Sequence, residues 1–423
     1  MRFAHPLLIC ASLALTAPLV AEAQTAFSPG RLFVASLGDD VVIELDPTGV
    51  EARRLGAGTL VDPRGIAFGP DGNLYVASST RVHVFAPDGT LVRSLGENTS
   101  LSAARGLALG THGEVFVTSL DRVLVFEIDG TFLREFGQDD DLTVPAGLAI
   151  GANGHVFVCS SADNRVFEFD PAGTKVRELG SDGDLSIPIG LAFGPDGRLW
   201  VSSLFGANVV GLDVDGTVAS GTVVFDDAAL AFPTGLAFGP NGDLFVASLV
   251  GNGVREFSLG GTYLGSWPSA TTAPFPEGVA FSPHRFSARI SGELSRTGQK
   301  SIKRKEDAVI SFTPGSRTLM LALTDVETNT SDLASEFGTD WYVLHGFEAF
   351  ATPLATTRVF QGFGFVEPVQ EAGVASMPMR VSGVTQTSYF APRFVPKKAA
   401  GSLHVADATA VFSGSVKTKK ALN

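Results

Sequence analysis

The amino-acid sequence predicts an all-β fold built around a repeated unit. A phrase that opens Gly-x-Ala returns at steps of 41, 41, 43, 45 and 43 residues, beginning at Gly65, Gly106, Gly147, Gly190, Gly235 and Gly278. Each full copy contains short apolar runs separated by glycine-rich turns. A repeat of this length, made of short strands, is typical of a β-propeller in which each repeat forms one four-stranded sheet.

The copy that begins at residue 65 shows the four expected strands. Gly65–Phe68 is short and small-sided, as suits an inner strand near a crowded central axis. A Gly-Pro-Asp-Gly turn follows, in which proline fixes φ and the last glycine tolerates a positive φ. Leu74–Ser78 is rich in β-branched and aromatic residues and predicts the second strand. Val82–Phe85 predicts the third strand and Thr90–Leu95 the outer strand.

Each end of the array holds only part of a unit. Leu32–Ser36 has the pattern of a second strand, but no Gly-x-Ala strand precedes it. Gly278–Phe281 has the pattern of an inner strand, but no second strand follows it. The two parts complete one unit, so we expect the N-terminal strands to close the ring and leave no unpaired blade. The sequence therefore predicts a six-bladed propeller over residues 24–284.

The repeat resembles the NHL repeat. The resemblance is carried by Gly-Leu-Ala-Phe-Gly-Pro-Asp-Gly, by a second strand that ends in Ala-Ser, and by Arg-Val-x-x-Phe-x-x-Asp-Gly-Thr. It covers the propeller and not the last third of the chain. The NHL pattern usually has Asp after the second strand, whereas serine stands there in this chain, at Ser36, Ser78, Ser119, Ser160, Ser203 and Ser248. We therefore expect no tight divalent-cation site on the channel axis.

Charge is divided unequally along the chain. Residues 24–284 contain 31 Asp and Glu against 14 Arg and Lys, a net charge of −17, whereas residues 285–423 contain 12 against 16, a net charge of +4. Some NHL propellers bind RNA, but a surface this acidic is a poor match for phosphate groups. The composition therefore argues against a nucleic-acid partner.

Residues 1–23 have the features of an export signal. Arg2 precedes an apolar run, and Ala21-Glu22-Ala23 forms a small-x-small cleavage site before Gln24. No later stretch approaches the ~20 apolar residues of a membrane span. We expect export to the periplasm or the cell exterior.

Cys159 is the only cysteine left once residues 1–23 are removed. The other repeats have small residues at the same position of the second strand. We therefore expect the Cys159 thiol to be packed and structural.

The residue before each inner-strand glycine is expected to point toward the mouth of the central channel. These residues are Arg64, Arg105, Ala146, Ile189, Thr234 and Glu277. Two arginines beside a glutamate would suit a small anion or the end of a peptide. The alternative is that the charged residues pair with each other and only solvate the surface. The candidate ligand-binding residues are Arg64, Arg105, Thr234 and Glu277.

Acidic loops and histidines supply the enzymatic alternatives. Asp139, Asp140 and Asp141 could give some of the six to eight oxygens that calcium needs, but no regular spacing supports a metal site. Gluconolactonase-like and paraoxonase-like hydrolases hold a metal with Glu, Asn and Asp in the channel, and streptogramin-lyase-like propellers rely on histidine. The inner strands here offer Ile, Ala, Leu and Phe instead. The histidines checked all fall outside the expected mouth loops: His83, His112 and His155.

Residues 285–423 lack the repeat and predict a β-rich domain, either a sandwich or a small barrel. The strand-like segments are Phe286–Leu294, Ala308–Phe312, Arg317–Thr324, Trp341–Phe350, Thr357–Phe365, Met377–Val384 and Ala408–Val416. Gly298–Asp307 is expected to be a charged connection. Cations are concentrated in this connection and near the C-terminus: Lys300, Lys303, Arg304, Lys305, Lys417, Lys419 and Lys420. They either lie in solvated turns or form a basic patch. Such a patch would bind an anionic surface polymer or the acidic propeller itself.

These observations predict an exported binding or scaffold protein without catalytic residues or a cofactor. The loop face of the propeller is expected to bind a protein, a peptide or a small ligand. The alternative is a metal-dependent lactonase of the gluconolactonase-like type or a streptogramin-lyase-like enzyme.

Overall fold

The computed structural model consists of strands and the turns that join them. It describes residues 30–97, 99–110, 113–138, 142–151, 154–180, 183–213, 230–239, 242–267, 273–312, 318–322, 341–349, 357–366, 377–390, 393–406 and 410–422. The expected export signal lies outside these residues. None of the residues in these ranges belongs to a helix that is long and apolar enough to cross a membrane.

Six antiparallel sheets repeat along residues 30–281. In five of them the strands lie in the order inner, second, third and outer, and the sheet that begins at Pro188–Phe193 has its inner, second and third strands among the described residues. The inner strands are Pro63–Phe68, Leu107–Leu109, Pro145–Ile150, Pro188–Phe193, Pro233–Phe238 and Pro276–Phe281. The second strands are Leu32–Ser36, Leu74–Ser78, Val115–Ser119, Val156–Ser160, Leu199–Ser203 and Leu244–Ser248. The third strands are Val41–Leu45, Arg81–Phe85, Arg122–Phe126, Arg165–Phe169, Asn208–Leu212 and Gly253–Phe257. The outer strands are Glu51–Leu55, Leu91–Leu95, Phe132–Phe136, Lys175–Leu179 and Tyr263–Trp267.

The N-terminal strands complete the sheet of the last inner strand. Leu32–Ser36 pairs with Val41–Leu45 on one side and with Pro276–Phe281 on the other, with Val34 opposite Val279. The all-β class and the propeller arrangement are confirmed. The count of six complete blades stays a prediction, because the outer strand of the sheet that begins at Pro188–Phe193 is expected within residues 214–229, outside the described ranges.

Neighbouring inner strands approach so closely that only glycine fits between them. The Gly65 amide donates a hydrogen bond of 2.7 Å to the Arg105 carbonyl oxygen. A Cβ atom at Gly65 would lie less than 3.0 Å from that oxygen. Every other inner-strand glycine faces the next strand in the same way, and Gly278 faces the Arg64 carbonyl, which closes the circle. The glycine of the Gly-x-Ala phrase is therefore required by backbone contact.

Aromatic side chains of the second strands fill the space between sheets. The Phe33 ring meets the Phe68 ring of the next sheet edge to face, with centroids 5.0 Å apart. Trp200 is fully buried and packs with Leu236 and Phe238 of its neighbour. Burying a side chain of this size stabilises the fold by about 1.5–3 kcal/mol. Cys159 is buried in the same layer, and burial raises the pKa of its thiol.

Eight strands after residue 283 form a closed antiparallel barrel. They are His284–Arg296, Ile302–Phe312, Thr318–Ala322, Trp341–Ala349, Thr357–Val366, Met377–Phe390, Arg393–Ala406 and Ala410–Leu422. The first strand pairs with the second and with the last, so the strand order returns to its start. The domain boundary at 284/285 stays a prediction.

Two details of this barrel differ from the expectations. Ile302–Asp307 belongs to a strand and is not a connection, because it pairs residue by residue with the strand His284–Arg296, from Ile302 opposite Leu294 to Asp307 opposite Arg289. Arg393–Ala406 forms a strand that the sequence analysis missed. Its alternation is broken at Pro396, which pairs with Thr387 at an irregularity in the register.

The barrel contacts the end of the propeller opposite the start of the inner strands. Arg285 donates a hydrogen bond of 3.2 Å to the carbonyl oxygen of Asp71, in the turn that follows an inner strand. Met320 is buried in one cluster with Leu109, and Ala67 packs against that cluster. The loops at the start of the inner strands therefore lie at the other end of the channel.

We predict that Gly278→Ala lowers the melting temperature, because its new Cβ would press on the Arg64 carbonyl where the ring closes. Overpacking of this kind costs about 1–3 kcal/mol. Thermal denaturation followed by circular dichroism measures the effect. The matched control is Gly265→Ala, since nothing lies within 4 Å of a Cβ at that outer-strand position. Equal melting temperatures for the two variants would contradict ring closure through Gly278.

Candidate functional site

The six residues that precede the inner-strand glycines line one cavity of about 240 Å³ at the channel mouth. They are Arg64, Arg105, Ala146, Ile189, Thr234 and Glu277. Each is placed by the same inner-strand start, so the repeat itself arranges them in a circle. The charged members come from three adjacent sheets and the uncharged members from the other three. The cavity therefore has a charged half and an uncharged half.

An ion pair joins the first and last inner strands in the charged half. Arg64 Nη1 lies 2.8 Å from Glu277 Oε1, although 213 positions separate the two residues. The Glu277 side chain is 13% exposed and that of Arg64 is 27% exposed. The alternative that the charged residues pair with each other therefore holds for Arg64 and Glu277, two of the three charged residues.

Arg105 is the third charged residue, and its guanidinium has no hydrogen bond or ion pair within the described residues. Burial lowers its pKa, and the nearby positive charge of Arg64 lowers the pKa further, whereas Glu277 opposes both effects. Two arginines and one glutamate leave one uncompensated positive charge at the mouth. A partly buried cation of this kind is stabilised by an anion that brings its own hydrogen-bond acceptors.

Glu277 responds to the same surroundings in the opposite direction. Burial raises the pKa of its carboxyl group, and the charges of Arg64 and Arg105 oppose that shift. Protonation would remove the partner of Arg64 and leave both guanidinium groups free to hold an external anion. The mouth therefore contains a carboxylate that competes with a ligand for Arg64.

The uncharged half of the cavity is mainly apolar. Ala146 and Ile189 are joined there by Leu204 and Leu249, which follow second strands. Thr234 is 2% exposed, and its hydroxyl donates a hydrogen bond of 2.9 Å to the Pro276 carbonyl. The candidate residue Thr234 thus lies in the wall with its hydroxyl bound to the backbone.

Serine side chains hold the mouth loops in place. The Ser78 hydroxyl accepts a hydrogen bond of 2.8 Å from the Val61 amide and donates one of 2.7 Å to the Val61 carbonyl. Ser119 holds Ser102 in the same way, and Ser36 donates to the Pro274 carbonyl across the ring closure. The serines that replace the usual Asp are therefore loop clamps.

The same loops contain a left-handed residue at an equivalent place in every repeat. These residues have φ between 49° and 55°, and they are Asp62, Ala103, Val144, Ile187, Phe232 and Phe275. A positive φ is costly for side chains with a Cβ atom, so the surrounding contacts must impose it. Sequence reasoning missed this feature, because the six residues share no side-chain type.

The enzymatic candidates do not converge on this cavity. Glu277 is its one carboxylate among the described lining residues, and no cluster of three His, Cys, Asp or Glu is close enough to hold a metal in the described ranges. The proposed metal ligands Asp139, Asp140 and Asp141 lie outside those ranges. His83 lies on a third strand against Ser94, and His155 contacts Glu168. His112 is not described.

Comparisons with solved structures show the β-propeller fold. A nidogen/laminin complex matches 60% of this chain and 98% of its own at 19% identity, with a TM-score of 0.51. A protein of unknown function from Bacteroides caccae matches 60% and 98% at 16% identity, also with 0.51. Virginiamycin B lyase from Staphylococcus aureus matches 69% and 91% at 14% identity, with 0.48. No protein-family model and no curated protein matches the chain.

We predict that the mouth binds sulfate more tightly as the pH falls through the raised pKa of Glu277. Sulfate keeps its charge over this range, whereas protonated Glu277 no longer competes for Arg64. The gain is up to about fivefold, since a partly exposed ion pair contributes about 1 kcal/mol. Calorimetric titrations at about pH 4 and about pH 8 bracket the ordinary glutamate range.

The variants Glu277→Gln and Glu97→Gln supply the comparison. Glu277→Gln should bind sulfate tightly at both pH values, because the competing charge is gone. Glu97 is 65% exposed and outside the cavity lining, so Glu97→Gln should behave as the wild type does. A pH step that persists in Glu277→Gln would show that another group controls it.

Proposed function

We propose that this chain is an exported NHL-like propeller protein that binds, without catalysis, a partner bearing a carboxylate or similar small anion. The observation that carries the proposal is the Arg105 guanidinium, which faces the mouth cavity beside Arg64 and has no ion pair among the described residues. The partner is a protein, a peptide or a small molecule that reaches the loop face of the propeller.

The energetics favour a ligand over a merely solvated surface. A guanidinium presents a planar fork of donors that fits a carboxylate with two hydrogen bonds. Each hydrogen bond to a charged group contributes about 1.5–3 kcal/mol. A carboxylate shared between Arg105 and Arg64 adds hydrogen bonds to Arg105 that the Arg64–Glu277 pair does not supply.

The charge of the whole propeller restricts the ligand. Residues 24–284 have a net charge of −17, which repels nucleic acids and other polyanions at long range. A single carboxylate on a small molecule or a chain end feels this repulsion weakly and meets two arginines at the mouth. This contrast supports a small or terminal anion as the group that is bound.

Export and the NHL assignment belong to the same proposal. Export is supported by Arg2, the apolar run that follows it and the small-x-small site before Gln24. The NHL assignment is supported by the Arg-Val-x-x-Phe-x-x-Asp-Gly-Thr phrase and by glycines that face the next inner strand. The proposed divisions are residues 1–23, 24–284 and 285–423.

The barrel supplies a second proposed contact, with an anionic surface polymer. Lys303 and Lys305 are exposed on the strand Ile302–Phe312, and Lys419 is exposed on the strand Ala410–Leu422. Both strands pair with His284–Arg296, so the cations lie on two sides of one strand. Asp307 contacts Arg289 and Lys419, which lower its pKa to about 2, and its negative charge offsets part of the positive charge of this surface.

We predict that replacing both Arg64 and Arg105 with alanine weakens acetate binding at least tenfold. Loss of one charge-assisted hydrogen bond accounts for that factor. The melting temperature should change little, because both side chains lie at an open mouth. Arginine-labelled protein gives the binding curve by nuclear magnetic resonance. The control variant carries Arg54→Ala and Arg81→Ala, which remove exposed ion pairs elsewhere. Equal acetate binding by both double variants would refute the mouth site.

A metal titration separates this proposal from the hydrolase alternative. We expect no micromolar binding of Ca²⁺ or Zn²⁺ by calorimetry and no hydrolysis of a lactone, since the described mouth offers one carboxylate where calcium takes six to eight oxygens. Micromolar metal binding that disappears when Asp139, Asp140 and Asp141 are replaced would favour the hydrolase.

A further inference from the structure

The Gly-x-Ala phrase produces an open channel below the mouth. In the inner strand at Pro63–Phe68, Gly65 and Ala67 are partly exposed, whereas Ile66 and Phe68 are buried between the sheets. Successive side chains of a strand point to opposite faces, so Gly65 and Ala67 share the face turned toward the next inner strand, where Gly65 meets the Arg105 carbonyl and Ala67 also borders the channel. The alanines form a ring below the glycines: Ala67, Ala108, Ala149, Ala192, Ala237 and Ala280. Small side chains at these positions leave the channel unfilled.

The side chains that line the channel are apolar from the glycine ring to the barrel. A second cavity of about 220 Å³ follows the mouth cavity, and all of its described lining residues are apolar. The two cavities share Ile66, Leu107, Leu148, Leu236 and Val279, so one continues into the other. Met320 of the barrel lines the far cavity. The charged residues of the combined space therefore lie at one end only.

We propose that the channel binds an unbranched alkyl carboxylate, with its carboxylate at Arg105 and Arg64 and its chain along the alanine ring. This inference rests on the proposed carboxylate site and adds the body of the ligand. The mouth cavity, at about 240 Å³, is smaller than the 300–1,000 Å³ of ordinary ligand pockets. Two such spaces in line suit a narrow chain better than a bulky ring system or a folded segment.

The side chains of the wall favour an alkyl chain over the other ligand classes. A sugar or a nucleoside would place its hydroxyl groups against alanine and leucine side chains that offer no hydrogen-bond partner, which is costly. An alkyl chain has no such groups, and each methylene that enters the channel leaves water. We expect each added methylene to raise the affinity about three- to fourfold until the chain reaches Met320.

Calorimetric titration of the full chain with acetate, butanoate, hexanoate, octanoate and decanoate tests the inference. The expected result is an affinity that rises with chain length, together with a similar loss for every member in Arg105→Gln. Octanol, which lacks the carboxylate, should bind at least tenfold more weakly than octanoate. An affinity that is equal for acetate and decanoate, yet depends on Arg105, would overturn the inference and leave the proposed function standing. Binding that is independent of both arginines would overturn both.

Variants of the alanine ring test the path of the chain. Ala149→Phe should fill the channel, flatten the rise from butanoate to decanoate and leave acetate binding unchanged. Ala149→Ser keeps the channel open and serves as the matched control. Ala237→Leu, with a smaller added side chain, repeats the test at another blade if Ala149→Phe melts early. An undiminished rise in a folded blocking variant would overturn the inference, as would a free peptide C-terminus that displaces octanoate at equal concentration.

Discussion

The close approach of neighbouring inner strands is the contact on which the rest of the propeller depends. Each inner-strand glycine lies against the carbonyl of the residue just before the next Gly-x-Ala phrase, and a Cβ atom would not fit there. That distance sets the width of the channel and places the residue before the glycine at the mouth. The circle closes only because Gly278 meets Arg64, so the ion pair between Arg64 and Glu277 is a product of closure.

Much of this arrangement could be predicted from the sequence, because the repeat gives the same residue the same place in each sheet. The spacing of the glycines predicted the inner strands, and the residues before them were expected around one opening. The split unit at the two ends predicted the pairing of Leu32–Ser36 with Pro276–Phe281, which is present. Repetition supplies six observations of each position, and this is why a single sequence predicts so much of the propeller's arrangement.

The remaining features depend on contacts that the repeat does not encode. The Thr234 hydroxyl is bound to the Pro276 carbonyl of the next sheet, which no local pattern reveals. The role of the serines follows from a loop that lies 17 residues earlier in the chain. The strand Arg393–Ala406 has one copy only and a proline in it, so neither repetition nor alternation could locate it.

The loop clamps affect which residues of the mouth can be substituted during evolution. Serine hydroxyls, left-handed residues and glycine contacts hold the backbone of the mouth, and none of them uses the side chains of Arg64 or Arg105. Those side chains can therefore be exchanged with little effect on folding. The mouth is then a set of interchangeable positions on a constant frame, and a new ligand preference requires few substitutions and no rebuilding of the scaffold.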